Sequence, residues 1–346
     1  MRKLFFYLAF SSLCALNPYS QTIGSEWPRV SPSSEGYKTK DFEKLDGFIK
    51  DNANTTGMVV IVNGKMIYDY GDITQLSYLA SCRKSVLSML YGIYIERGKI
   101  DLSKTLVDLG IDDRQGLSDL ERTATIDHII NSSSGIYHPA SNAGDNLADA
   151  PARGSQKPGA YFLYSNWDFN AAGGIFEQET GVDIFEAVEK DLAGPIGMQD
   201  FKRNRQRKLG NLSRSKFPAY HMWYSTRDMA RLGQLMLQKG KWNGQQVVPE
   251  AWVEKTTTVV TPLEKMNPTP MRDGEFGYAY MWWIWDGPKA TGPFEGAYTA
   301  RGAYGQYITV LPKLQMVVAH KTNPDDGSTR WGVYRQILER IVAAKK

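Results

Sequence analysis

Segments with strand character stand near both ends of this 346-residue chain, and segments with helical periodicity fill the middle. Near the first end, Met58–Val62 and Lys65–Tyr70 flank Asn63-Gly64, a dipeptide suited to the positive φ angles of a two-residue hairpin. Near the other, the aromatic run Phe276–Trp285 reads as one strand, with Tyr278, Tyr280 and Trp282 on one face and Met281, Trp283 and Trp285 on the other. Gln306–Leu311 and Met316–His320 follow as strands separated by a turn at Pro312-Lys313. A sheet drawn from both ends of a chain, with helices between, is the outline of an α+β fold interrupted by a helical region.

The division expected is a discontinuous sheet domain over residues 22–90 and 220–346, a mostly helical region over 91–219, and a site between them. Asp41–Ile49 places Phe42, Leu45, Phe48 and Ile49 on one helical face. A helical pattern runs through Ala171 and Ile175 to Gly181, and another from Ile184 to Leu192. Ser225 to Asp228 caps a helix that Gly240 ends, and Trp331–Val342 forms the last one. Tyr137–Lys157, rich in Ala, Asn, Asp, Gly and Pro, reads as a long surface loop of the kind that serves as a binding lid.

Residues 1–21 read as an export signal. Arg2 and Lys3 precede the apolar Leu4–Phe10 and Leu13–Leu16, and a polar cleavage region follows at Asn17–Gln21. The apolar run is short for a membrane span, so the expectation is a periplasmic or secreted protein with no transmembrane segment after cleavage. Cleavage removes Cys14 and leaves Cys82 alone, which excludes an internal disulfide and makes core packing its expected role. Roughly 325 residues then suffice to bury one large core, or two sharing a cleft. With 41 basic and 37 acidic residues the chain has no charge excess that calls for nucleic acid or an anionic membrane. The basic stretch Phe201–Lys216 reads as a solvated face.

The chemistry-bearing stretch is Ser77–Leu90. Apolar Cys82, Val86, Met89, Leu90 and Ile93 recur at three- and four-residue spacing, and Gly98 supplies a stop. Ser81 opens that helix and Lys84 stands one turn on, so an alcohol and an amine can meet beside the unpaired N–H groups of a helix start. Ser-x-x-Lys arises about once by chance in a chain this long. A second one, Ser213–Lys216, lies in a basic stretch without apolar periodicity. The competing role for Ser81 is an ordinary helix cap.

Three stretches in this order, Ser81-Cys82-Arg83-Lys84, Tyr164-Ser165-Asn166 and Ala300-Arg301-Gly302-Ala303-Tyr304-Gly305-Gln306, resemble the class C β-lactamase and penicillin-binding-protein-like serine hydrolases. Ser133-Ser134-Gly135, Pro158-Gly159, the helix of Asp228, and Asn243-Gly244 with Pro249 support the likeness, which is nearest in flavour to the esterase and nylon-oligomer hydrolase branch. The resemblance implies a β-lactamase/transpeptidase-like fold, an antiparallel sheet flanked by helices, and no cofactor or metal. It implies Ser81 as nucleophile, Lys84 and Tyr164 sharing acid–base duty, and Asn166 orienting Lys84 or the substrate. Backbone N–H groups of Ser81 and Ala303 would form the oxyanion hole, beside Gly302 and Tyr304. A phenol near pKa 10 becomes a base beside an ammonium; alternatively a neutral Lys84 takes the proton itself.

One departure bears on substrate. Where β-lactamases carry Lys-Thr-Gly, this chain has Ala300-Arg301-Gly302, so the lysine that helps hold a β-lactam carboxylate is missing. Arg301 replaces that charge only if its side chain turns inward. The expected substrate is a small ester, amide or peptide-like molecule, with the aromatic run as an apolar wall suited to uncharged acyl groups. The alternative is a β-lactam- or peptidoglycan-peptide-binding protein: a D,D-peptidase, a sensor or a stalled acylating pseudoenzyme. No Gly-x-Ser-x-Gly elbow occurs, and His128, His138, His221 and His320 show no metal spacing. Of these, His221 is the candidate for approaching the site, with core packing as its favoured role.

Overall fold

The computed structural model describes residues 23–346. The export signal expected at 1–21 lies outside the described residues. Seven antiparallel strands form the main sheet: β1 (Gly57–Val62), β2 (Lys65–Gly71), β3 (Phe276–Ala279), β4 (Trp282–Trp285), β5 (Tyr298–Gly302), β6 (Gln306–Leu311) and β7 (Met316–Lys321), in the order β2-β1-β7-β6-β5-β4-β3. β1 is buried along its whole length because both faces are covered, which is why it reads as an unbroken apolar run. Val59 and Ile61 join one core cluster, while Met58, Val60 and Val62 join the other. The second cluster is closed by α1 (Thr39–Asn52) and by the C-terminal helix Trp331–Ala343. Asn63 and Gly64 take φ of 50° and 75° at the tip of the β1–β2 hairpin, the conformation their sequence favours.

On the other face lie α2 (Cys82–Glu96), α3 (Asn166–Thr180) and α4 (Thr226–Leu237), with the C-terminal helix numbered α5. α2, expected to be a buried helix, is buried from Cys82 through Tyr94 on all its faces, because helices and sheet enclose it on every side. Trp252 reaches into it so closely that a Cβ on Gly92 would lie 2.1 Å from the indole. The single aromatic strand expected at 276–285 is in fact the β3–β4 hairpin, turning at Tyr280 and Met281 with φ of 44° and 69°. Neither residue favours that conformation, and tertiary bonds hold it: Tyr280 N–H donates to Asn131 Oδ1 at 2.8 Å, and Ser85 Oγ–H donates to the Met281 carbonyl at 2.7 Å. The aromatic residues therefore pair across the hairpin, Trp283 opposite Tyr278 and Trp285 opposite Phe276. Among the described residues no helix is long and apolar enough to cross a membrane.

Candidate active site

β5 meets the start of α2 at glycine-only distance. A Cβ on Gly302 would come 2.7 Å from the Leu79 carbonyl oxygen and 3.1 Å from the Ala80 side chain. Ala80 takes φ 49° to turn the chain into the helix, and Tyr304, just past the strand, takes φ 67°. The loop Ala303–Gly305 therefore stands beside Ser81. Tyr304 is 46% exposed there, on the rim. The loop is held from behind: His320 Nδ1–H donates to the Gly305 carbonyl at 2.8 Å, and its Nε2 accepts from Thr55 Oγ at 2.8 Å.

Ser81 occupies the cap position of α2, yet its hydroxyl makes no capping bond. It lies 3.2 Å from Lys84 Nζ instead. The same nitrogen sits 2.5 Å from Tyr164 Oη and 2.8 Å from Asn166 Oδ1, and it also lies over the rings of Tyr164 and Phe169. Ser81, Lys84, Tyr164 and Asn166 are thus brought together. Lys84 is 1% exposed. Burial, then the neighbouring Arg83 charge, pushes its pKa well below the usual lysine value, with a smaller opposing pull from Asp145. Burial raises Tyr164 to about 12, against weaker lowering by Ser81 and Arg83. The common cause favours a neutral amine beside a neutral phenol over the ammonium–phenolate pair. The short Nζ–Oη contact lets one proton serve both.

Two further groups stand at the site with no motif to mark them. Asp145, in the loop 137–157, accepts from Asn166 N–H at 3.1 Å, while Asn166 Nδ2 donates to the Ala143 carbonyl at 3.0 Å. That loop is only partly a surface loop, since His138, Ala140 and Ser141 are buried. Arg153 fastens it to Glu121 with two bonds of 2.9 and 2.7 Å. Arg83 is buried beside Lys84, bonded to the Ala80 carbonyl and Asn170 at 3.3 and 3.4 Å and lying over Tyr220. An arginine next to a lysine on a helix without a polar face was the available signal. Cys82 donates its S–H to the Gln306 carbonyl at 3.2 Å, and burial pushes its thiol pKa up, which suits packing rather than thiolate chemistry.

His221 bonds none of Ser81, Lys84 or Tyr164. Its Nδ1 sits 2.8 Å from Tyr78 Oη, between the rings of Tyr78 and Trp223. Burial, reinforced by Arg83 and Arg207, lowers it to about 4, so it is neutral at ordinary pH. Arg301 alternates away from Ala300, as strand geometry requires. Ala300 is buried toward α2, while the Arg301 guanidinium packs among Phe276, Trp283 and Trp331. In the second Ser-x-x-Lys, Ser213 closes a local turn on Asn211. Among the described residues, no group of three or more His, Cys, Asp or Glu side chains is placed to hold a metal.

A family model described as Beta-lactamase matches residues 45–338. No curated protein matches the chain. Among solved structures, a Bacillus anthracis protein provisionally named a 6-aminohexanoate-dimer hydrolase is 19% identical with a TM-score of 0.66, over 92% of this chain and 86% of that one. EstCE1, a hydrolase with promiscuous acyltransferase activity, is 16% identical with a TM-score of 0.64, over 90% and 99%. A penicillin-binding protein from Bacillus halodurans is 18% identical with a TM-score of 0.62, over 86% and 99%. Likenesses at these identities are likenesses of fold.

Proposed function

The chain belongs to the beta-lactamase family, with its antiparallel sheet flanked by helices, and from that premise we propose that it hydrolyses a small ester or amide through an acyl-enzyme on Ser81. The observation that carries this reading is the Ser81–Lys84–Tyr164 contact set: a helix-start hydroxyl left free of capping, 3.2 Å from a buried amine that is itself 2.5 Å from a phenol. Ser81 Oγ attacks the carbonyl carbon as its proton passes to the Lys84–Tyr164 pair. The oxyanion forms beside the N–H groups of Ser81 and Ala303. The bond to the leaving group breaks as the pair returns the proton to the departing oxygen or nitrogen. Water then repeats the sequence at the acyl carbon, releasing the acid and restoring the serine. Because the pair acts with the lysine proton gone, kcat/KM rises with pH through a titration below the lysine value of 10.5.

Ala300 in place of lysine supports esters or small amides over β-lactams, since a charge-assisted contact contributes roughly 1.5–3 kcal/mol, about one to two powers of ten in binding. The apolar start of the chain supports export as the protein's setting. The test is fluorophosphonate labelling of Ser81, followed by kcat/KM for p-nitrophenyl acetate and butyrate against nitrocefin. Labelling at Ser81 with faster ester turnover is the expected result. A chain that is neither labelled nor active on any ester or amide would argue for a non-catalytic role, and efficient nitrocefin hydrolysis would overturn the substrate reading.

A further inference from the structure

Of the two N–H groups proposed to hold the oxyanion, that of Ala303 belongs to a loop rather than to a helix start. β5 ends at Gly302, β6 begins at Gln306, and these two residues pair across the sheet. Between them the chain reverses through two successive positive φ angles, 67° at Tyr304 and 103° at Gly305. A tyrosine does not keep a left-handed backbone unaided, and a glycine beside it leaves the peptide planes free to turn. The aim of the Ala303 N–H therefore depends on what fixes the loop.

Each of the three carbonyls that follow Ala303 accepts a bond. The Thr329 N–H donates to that of Tyr304 at 3.0 Å, His320 Nδ1–H to that of Gly305 at 2.8 Å, and the Cys82 thiol to that of Gln306 at 3.2 Å. The thiol is a weak donor, and the Thr329 bond is backbone to backbone. His320 is the strong side-chain donor of the set. It projects from β7, fully buried, with its ring 5.9 Å from that of Tyr307 and 5.1 Å from that of Tyr334.

A carbonyl only accepts, so the Gly305 bond fixes the imidazole proton on Nδ1. Nε2 is then left to accept the Thr55 hydroxyl at 2.8 Å. With both nitrogens committed, the ring cannot turn over without losing two buried bonds. Burial lowers its pKa to about 4, against the opposing effect of the Gly305 bond, so the ring is neutral at ordinary pH. Gly305 in turn has nowhere to retreat: a Cβ there would lie 2.8 Å from the Thr329 carbonyl oxygen and 3.0 Å from Thr322 Oγ.

We propose that His320, oriented by Thr55, is a positioning residue for the reaction: by holding the Gly305 carbonyl it keeps the Ala303 N–H aimed at the developing oxyanion. The proposal rests on Ser81 hydrolysis and adds to it a buried histidine that touches neither the substrate nor Ser81.

Three variants assayed with p-nitrophenyl butyrate test it. His320→Leu removes the donor at similar bulk, His320→Asn keeps an N–H near the place of Nδ1, and Thr55→Val removes only the hydroxyl behind the ring. His320→Leu is expected to lower kcat about 10- to 100-fold with KM within about threefold, because an oxyanion contact strengthens in the transition state. His320→Asn should recover most of that loss, and Thr55→Val should cost about three- to tenfold in kcat. Affinity for butylboronic acid, which forms a tetrahedral adduct on Ser81, should fall in step with kcat. Backbone hydrogen exchange over Gly302–Tyr307 reads the clamp without turnover: faster in His320→Leu and Thr55→Val, and near wild type in His320→Asn. Thr55→Val, the milder change, decides the matter if the leucine variant does not fold. A wild type that is inactive and unlabelled, with this exchange pattern intact, would sink the hydrolase reading alone. Unchanged kcat, equal impairment of the leucine and asparagine variants, unaltered boronate affinity, or unaltered exchange would each overturn the positioning role.

Discussion

Of the helices on one side of the sheet, α2 and α4 each have a serine at the cap position, and these two serines have opposite employment. At the start of α4, Ser225 has extended backbone, and its hydroxyl accepts the Asp228 N–H at 3.2 Å. At the start of α2, Ser81 is already helical in φ and ψ, makes no such bond, and faces Lys84. Both serines are buried or partly so, both precede long helices, and sequence alone gives each the same capping role. What differs is the turn before them. Ala80 at φ 49° swings Ser81 out of capping geometry and into contact with the amine. A hydroxyl without structural duty is available for chemistry, and the helix that carries it gives up roughly 1 kcal/mol of cap stabilisation. That helix withstands the loss because burial on all sides, rather than its terminus, holds it in place.

The largest effect that can break this contrast is at Ser81. Ser81→Ala is expected to lower ester turnover by at least about 10⁴-fold while moving stability by less than about 1 kcal/mol. Turnover near wild type, measured with enzyme free of contaminating esterase, would remove Ser81 from the mechanism. Next in size are its partners. Lys84→Ala and Tyr164→Phe should each cost at least about 10²-fold, and the double variant far less than the product of the two, as expected of residues acting as one unit. Fully multiplicative losses would mean that the amine and the phenol work separately despite the contact between them. The smallest effect sharpens the other side. Ser225→Ala should lose about 1 kcal/mol in urea unfolding and leave kcat/KM unchanged. An unaltered midpoint would mean that this cap, too, is dispensable.

What was legible in the sequence is what local rules control. The Asn63-Gly64 hairpin follows from backbone preference, and the placing of Lys84 one turn beyond Ser81 follows from helical spacing. Tyr164 and Asn166 come from 80 and 82 residues further along and were reached only through a motif likeness. Asp145 and Arg83 escaped because their influence is electrostatic and depends on burial, which no spacing encodes. The break between β3 and β4 escaped for a related reason: Tyr280 and Met281 carry no turn signature, and partners at Asn131 and Ser85 impose their positive φ. The fate of Arg301 was likewise set from outside its strand, by rings at positions 276, 283 and 331.

The pairing of β1 with β7 has a consequence for how the molecule comes into being. Gly57 lies opposite Lys321, and Val62 opposite Met316, so the middle of the sheet joins an early segment to a very late one. On a ribosome, the β1–β2 hairpin emerges with one edge bare and waits for more than two hundred further residues before its neighbour exists. Closing so long a loop is slow, and until then the sheet has no centre. A nascent chain of this topology lacks the centre of its sheet until nearly the end of its synthesis, so the order in which its parts can settle is set by its last strands.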